Sequence, residues 1–280
     1  DSWLWYVSMN TSFEFFPPKT DKGKENLINL TKRLSHFSPE YFSVTYGAAG
    51  STRKGTLETC VSIKSLGQNT CPHLAGIGSS KSEIKEILNE FKGYGLTRVV
   101  ALRGDLPSGF GRFGDFPYAL DLIKFIKREQ ESFSIEVAAY PEVHPDAESE
   151  NTDFENFLNK VEAGADGAIT QFFFEEDSYF KFVEKSEKEN VTIPIIPGIM
   201  PIHDFESLVR MAKNCSANVP LWLKEGMQKY SNNEDRLMYG VEVITKLCQK
   251  LLRFGAPGIH FYTVNREEPT SLIIKNLESK

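Results

Sequence analysis

Apolar residues in this chain fall into short runs separated by longer stretches with helical spacing. Eight β-branched or aromatic runs, bounded by glycine, proline or polar clusters, read as strands at 12–16, 42–46, 71–75, 98–102, 135–140, 167–173, 193–197 and 258–263. Between them, Leu27, Leu30, Leu34 and Phe37 recur every three or four positions, as do Ile84, Ile87, Leu88 and Phe91, and then Phe154, Phe157, Leu158 and Val161. Ser80 to Glu83 and Thr152 to Glu155 read as capping boxes opening helices. Gly93 and Gly164 fall where a left-handed residue ends a helix, and Pro117 suits a first helical turn. A long last helix is predicted over about 234–253, preceded by an extra segment at 219–232. Strand and helix alternating eight times predicts an α/β fold, a single-domain (β/α)8 TIM barrel. The runner-up, a doubly wound open sheet, would carry Gly-x-Gly-x-x-Gly after its first strand, and none is present there.

Composition narrows the functional classes. The chain has 280 residues, of which 40% are hydrophobic and 25% charged, enough for a large core and too apolar for disorder. A net charge of -6 without a basic run argues against a nucleic-acid partner. No apolar run reaches the roughly 18 residues of a membrane helix, so no membrane association is expected. Cys60, Cys71, Cys215 and Cys248 show no Cys-x-x-Cys spacing and read as reduced thiols of a cytoplasmic protein. The five histidines are scattered and no metal site is predicted. Residues 1–8 are apolar without a basic lead and read as an upstream segment, with Met9 the natural start and 9–280 the barrel; the rival is a hydrophobic arm that packs on the barrel or a partner.

The active site of such a barrel lies at the C-terminal ends of its strands. Those ends bring Glu14, Thr45, Tyr46, His73, Arg103, Gly104, Asp105, Tyr140, His144, Gln171, Gly198, Tyr262 and Arg266 toward one mouth. Glu14 stands out as a lone carboxylate among Phe13, Phe15 and Phe16, just before Pro17 and Pro18. Burial there is expected to raise its pKa and suit it to general-acid work; a barrel-interior salt bridge is the bland alternative. Gln171 offers both a donor and an acceptor to a heterocycle edge, or else satisfies backbone. His73 and His144 read equally well as core histidines, and Lys160 and Asp153 as a solvated helix face, although Lys160 adjoins the apolar Val161.

These pieces together resemble one family. Ser12-Phe13-Glu14-Phe15-Phe16-Pro17-Pro18-Lys19, Val44-Thr45-Tyr46-Gly47-Ala48, Pro72-His73-Leu74, Ala101-Leu102-Arg103-Gly104-Asp105, Ala138 to Pro145, Ile169 to Phe174, Pro197-Gly198-Ile199 and His260-Phe261-Tyr262-Thr263 resemble, in order, methylenetetrahydrofolate reductases. The resemblance runs from about Thr11 to the C-terminus and covers the catalytic barrel, without the regulatory domain of animal members. It implies an FAD-dependent oxidoreductase of one-carbon metabolism and methionine biosynthesis, in which NADH or NADPH reduces the flavin and the flavin reduces 5,10-methylenetetrahydrofolate by a ping-pong scheme. It further implies a small-molecule folate substrate and a homo-oligomer.

Carried over by position, the resemblance makes Glu14 the general acid, Asp105 the carboxylate facing flavin and pterin, and Gln171 the amide that bonds each in turn. The FAD contacts would be Thr45, Tyr46, Ala48, His73, Arg103, Gly104, Asp105, Ala119, Tyr140, His144, Ala147, Asp153 and Lys160. The folate contacts would be Asp105, Gln171, Ser207, Tyr262 and Arg266. Ser207 and Met211 depart from the Gln and Phe of many bacterial members, and the loop 49–53 also differs from some of them, which puts folate affinity and nicotinamide binding in question. The rivals are a same-family reductase fed by a partner protein, another flavin barrel of the proline dehydrogenase kind, and a catalytically silent barrel subunit.

Overall fold

The protein is described by a computed structural model over residues 9–46, 53–105, 112–144 and 147–279. The segment 1–8 and the expected flavin contact Ala48 lie outside the described residues. Among the described residues, the chain alternates strand and helix as β1 (Asn10–Phe15), α1 (Asp21–Leu34), β2 (Phe42–Val44), α2 (Arg53–Ser65), β3 (Thr70–Ala75), α3 (Lys81–Gly93), β4 (Arg98–Leu102), α4 (Ala119–Glu129), β5 (Ser134–Ala139), α5 (Glu150–Glu162), β6 (Gly167–Thr170) and α6 (Glu176–Lys188). It continues as β7 (Ile195–Ile196), β8 (Gly198–Ile199), α7 (Phe205–Asn214), α8 (Leu221–Gln228), α9 (Asn233–Arg253), β9 (Gly258–Tyr262) and α10 (Thr270–Glu278). Every strand pairing is parallel, in the order β7-β6-β5-β4-β3-β2-β1-β9-β8. The two ends of that order are the two halves of one interrupted strand, so the sheet closes into the expected (β/α)8 barrel.

The interruption has a local cause. The predicted strand 193–197 is realised as β7 and β8 on either side of Pro197, which has no N–H to give to a ladder. Its carbonyl still accepts from the His260 N–H at 3.0 Å, while the Gly198 N–H donates to the Thr170 hydroxyl at 2.9 Å. The Tyr262 hydroxyl then crosses from β9 to the Thr170 carbonyl on β6, at 2.6 Å. A Cβ on Gly198 would lie 2.1 Å from that carbonyl oxygen and 2.6 Å from the tyrosine hydroxyl, so only glycine fits.

Alternation along the strands separates two layers. Phe13 and Phe15 turn outward, packing on Phe42 at ring separations of 5.6 and 5.1 Å beneath the helices. The intervening Ser12 and Glu14 face the barrel interior. At the floor, Arg98 meets buried Glu136 at 2.8 Å and Glu40 at 2.9 Å, with its guanidinium 4.0 Å over the Tyr41 ring. Burial works against the Arg98 charge, but Glu136, Tyr41 and Glu40 together outweigh it and push the pKa up.

The predicted helix ends hold in part. The Ser80–Glu83 capping box and Gly164, at φ 116°, are present. By contrast, α5 is capped by Ser149, whose hydroxyl accepts the Thr152 N–H, so Thr152 lies inside the helix. The left-handed residue after α3 is Gly95, at φ 72°, not Gly93. Pro117 precedes the cap Tyr118 and sits outside the first turn of α4. The long helix α9 is followed by α10, and α8 fills the extra segment. The helix ends moved because adjacent serines and glycines competed for them.

Replacing Gly198 with alanine is expected to destabilise the protein by about 1–3 kcal/mol through overpacking at backbone. Urea denaturation of the Gly198→Ala variant, with no loss of stability, would contradict the role given to this glycine.

Candidate active site

Glu14 is a half-buried carboxylate that already has partners. Its Oε1 lies 3.2 Å from His73 Nε2 on β3 and 3.9 Å from His260 Nε2 on β9. About a fifth of its side chain reaches the mouth, at 20% exposure, while His260 is fully enclosed. The expectation that the phenylalanines raise its pKa is overturned. Phe13 and Phe15 point away from it, and Phe16 is exposed. Burial does raise the pKa, but the two imidazoles beside the carboxylate, His260 and His73, more than offset it and lower the pKa to about 2. Resting Glu14 is therefore ionised at neutral pH.

The strand end carrying Glu14 is clamped to the loop after β9. The Thr263 hydroxyl donates to the Glu14 carbonyl at 2.6 Å. The Asn265 side chain accepts the Phe16 N–H at 3.0 Å and donates to the Phe16 carbonyl at 2.9 Å. Val264 and Asn265 adopt φ of 52° and 54° to make this turn, an uncommon backbone for a β-branched residue. Tyr262, in register with Glu14, has its pKa pushed well up by burial and by that carboxylate, so it acts as a neutral donor.

A second compartment opens between β4, β5, α4 and α5. This pocket of about 380 Å³ gathers Arg103, Ala119, Tyr140, His144, Ala147, Asp153 and Lys160 from the predicted set. Lys160 is half-buried and turns its ammonium inward, donating to the Ala138 carbonyl at 3.0 Å and lying 6.0 Å from the Tyr140 ring. Burial lowers its pKa to about 8, only partly offset by Asp153, and it makes no ion pair among the described residues. The Asp153 carboxylate instead accepts the His144 N–H at 2.9 Å, and the His144 ring meets Tyr140 edge-on at 4.5 Å. Arg103 donates to the Pro117 carbonyl at 3.0 Å. An inward-facing ammonium and a guanidinium on one cleft suit an anion such as a pyrophosphate.

The remaining candidates stand around the mouth. Thr45 accepts the Thr56 hydroxyl on its carbonyl, and the Tyr46 hydroxyl takes the Arg53 Nε–H at 3.2 Å. Gly104 turns with φ 82°, and a Cβ there would meet the Ala75 Cβ at 2.7 Å, which leaves exposed Asp105 at the lip. Gln171 accepts the Phe172 N–H on its own side-chain oxygen at 3.0 Å, so the backbone-satisfying reading is met by one end of its amide. Ser207 lies in the first turn of α7, its N–H capped by Asp204 and its hydroxyl taken by Arg210 at 2.8 Å. Arg266 is exposed near His203, whose pKa falls first through burial and then through the Arg266 charge.

Sequence reasoning missed His260 as a site residue. The signal was available, since Ser12 and Glu14 on β1 alternate in step with His260 and Tyr262 on β9. It also missed Asn156 and Asn159, which line the second compartment on the α5 face that carries Asp153 and Lys160. No group of three metal-ligating side chains occurs among the described residues. No helix there is long and apolar enough to cross a membrane.

Comparison with known proteins follows the same lines. A family model described as methylenetetrahydrofolate reductase matches residues 6–278. The 5,10-methylenetetrahydrofolate reductases of Salmonella typhimurium and Escherichia coli are 39% and 38% identical over 271 residues, covering 96% of this chain and 90% of theirs. An Arabidopsis thaliana protein described as methylenetetrahydrofolate reductase (NADH) 1 is 36% identical over 282 residues, 48% of its own length. Among solved structures, a Clostridium thermocellum protein described as binding two copies of 5-methyl-5,6,7,8-tetrahydrofolic acid superposes with a TM-score of 0.67 over 97% of this chain and 94% of its own. At 16% identity that likeness speaks for the fold alone.

The lowered pKa of Glu14 predicts an acid-side stability loss. A carboxylate depressed from 4.5 to about 2 stabilises the fold fully above pH 4.5, and that contribution is lost as pH falls toward 2. The loss amounts to roughly 3 kcal/mol across the window. Unfolding measured at stepped pH is expected to show a shallower decline in Glu14→Gln than in the wild type; parallel declines would show that Glu14 is not held ionised.

Proposed function

The chain belongs to the methylenetetrahydrofolate reductase family, and from that membership we propose that it reduces 5,10-methylenetetrahydrofolate to 5-methyltetrahydrofolate with hydride from NADH or NADPH, by way of a bound FAD, in a ping-pong sequence. The observation that carries this reading is Glu14, a carboxylate held at the inner end of the mouth between two imidazoles. A proton donor is what the substrate needs there, because its one-carbon bridge opens when a bridging nitrogen takes a proton.

The residues fit an FAD. The inward ammonium of Lys160, with no ion pair among the described residues, and Arg103 would hold its pyrophosphate. Gly104 lets the backbone approach closely, and Tyr140, His144, Asp153 and Ala119 would line the rest of that compartment. Thr45, Tyr46, His73 and Asp105 would meet it at the mouth. When bound, the FAD supplies hydride acceptance and donation.

The chain's own groups do the remaining work. Glu14 starts ionised and must gain a proton before it can act, which a substrate favours by displacing water and raising the desolvation of the carboxylate. His73 Nε2, 3.2 Å away, is the neighbour placed to pass that proton to Glu14 Oε1. Asp105 and Gln171 orient the pterin, and Tyr262 borders it. Arg266 faces the anionic glutamate tail, with Ser207 nearby on α7.

The direct test is spectroscopic. The purified protein is expected to be yellow, to bleach with NADH or NADPH without oxygen, and to regain colour with 5,10-methylenetetrahydrofolate. Absence of a flavin spectrum would sink the proposal, and a flavin that neither nicotinamide reduces would favour electrons from a partner protein. Glu14→Gln is expected to keep nicotinamide-driven bleaching and lose at least about a hundredfold in reoxidation by folate, the range of general-acid catalysis; full folate turnover would remove the acid role.

Lys160 predicts a pH effect on cofactor binding. Its lowered pKa means that the flavin-free protein loses this charge as pH rises through about 8, while a bound anion keeps it protonated. FAD affinity is therefore expected to be flat below pH 8 and to fall by up to about tenfold per pH unit above it. Flavin-fluorescence titration of Lys160→Met is expected to give weaker binding without that slope, and an identical slope in both proteins would assign the effect elsewhere.

A further inference from the structure

His260 is completely buried and its two ring nitrogens are treated unequally. Nδ1 lies 2.7 Å from the Ser12 hydroxyl, directly across the β1–β9 register. Among the described residues, Nε2 has no hydrogen-bond partner, and it faces Glu14 Oε1 at 3.9 Å. The ring cannot easily turn away. It stacks on Tyr41 at 6.1 Å, meets Tyr262 edge-on at 5.2 Å, and its backbone N–H is held by Pro197. A buried polar atom left without a partner costs about 1–3 kcal/mol, so its retention here calls for a reason.

The chemistry of Ser12 supplies one. A hydroxyl can donate or accept, and by donating to Nδ1 it leaves the ring proton on Nε2, aimed at the carboxylate. The opposite tautomer would set an Nε2 lone pair against an anionic oxygen in a dry interior. We infer that Ser12 and His260 form a positioning dyad for Glu14: Ser12 fixes the tautomer, and His260 presents an Nε2–H that receives Glu14 Oε1 when the side chain rotates off His73. This rests on the reading of Glu14 as the proton donor. The gap of 3.9 Å is too long for a hydrogen bond at rest, and a small rotation of Glu14 closes it. Glu14 thereby has one imidazole to exchange protons with and another to hold the carboxylate after the proton has gone.

Other titratable groups around the dyad do not offer the same service. Cys71 from β3, Tyr41 beside β2 and Tyr262 from β9 all have their pKa pushed well up by burial, and they stay neutral. Arg98 and Glu136, beyond Tyr41, are paired with each other. His73 is already in contact with Glu14.

Nitrogen NMR of histidine-labelled protein as purified, with His260 assigned by its loss in His260→Asn, reads the tautomer directly. The expected result is a proton on Nε2 in the wild type and a mixed or reversed tautomer in Ser12→Ala; a bare Nε2 in the wild type overturns the inference. Turnover adds a second reading. The His260→Asn amide reaches Ser12 but not Glu14, and it is expected to slow flavin reoxidation by folate roughly tenfold, as befits a lost bond to a charged group. His260→Gln, whose amide nitrogen falls near the Nε2 position, is expected to restore the rate to within about threefold, with nicotinamide-driven reduction unchanged in both. The Asn variant alone is expected to displace the pH profile of reoxidation. Equal rates and profiles in the two variants would reduce His260 to packing and overturn the inference. If His260→Asn fails to fold, the wild-type tautomer and its response to Ser12→Ala decide the matter. If the wild type turns over no folate, the proposed function fails while the tautomer measurement still judges the dyad.

Discussion

The barrel closes at a position where one residue cannot donate a hydrogen bond and the next cannot carry a side chain. Pro197 splits the seventh strand, and Gly198 leaves the space through which the Tyr262 hydroxyl reaches Thr170. The cost of the missing ladder bond is offset by side chains: the Thr170 hydroxyl takes the Gly198 N–H, and Pro197 still accepts from His260. The residues that close the barrel are thus the immediate neighbours of the site. Tyr262 and His260 are fixed by barrel closure before any ligand is considered, and through them so is the space around Glu14.

Near the site the protein draws two charges of opposite sign partly out of water and treats them differently. Glu14 is supplied with imidazoles, which hold its pKa at about 2 against the effect of burial. Among the described residues Lys160 receives only a carbonyl and a distant carboxylate, and burial lowers its pKa to about 8. A charge already partnered is poised to exchange protons, and one left short of counter-charge is poised to take an anion. The distinction gives the two compartments opposite electrostatic character without reference to any bound molecule.

Much of the fold was legible because strand runs and helical spacing agree along the whole chain, and all eight barrel positions were found. The break at Pro197 was less so, since 193–197 reads as one apolar run and the proline shows its effect only when β6 and β9 are brought alongside. Cap positions slipped where two candidates stood close together, as with Ser149 and Thr152, or Gly93 and Gly95. At the site, motif resemblance placed the residues of the second compartment together, but the electrostatics of Glu14 could not be read from its neighbours in sequence. Phe13 and Phe15 flank it along the chain and point away in space, whereas His73 and His260 are remote in sequence and meet it. His260 was visible within a motif, but its importance depends on a cross-strand register that a single run does not display.

The floor of the barrel has a consequence of another kind. Arg98, clamped by Glu136 and Glu40 over Tyr41, occupies the end opposite the mouth. Its positive charge is met there by two carboxylates, while Glu14 owes its low pKa to His260 and His73 instead. The interior is thereby divided along its axis into a floor whose cation is already engaged and an upper layer whose charge balance rests on two imidazoles.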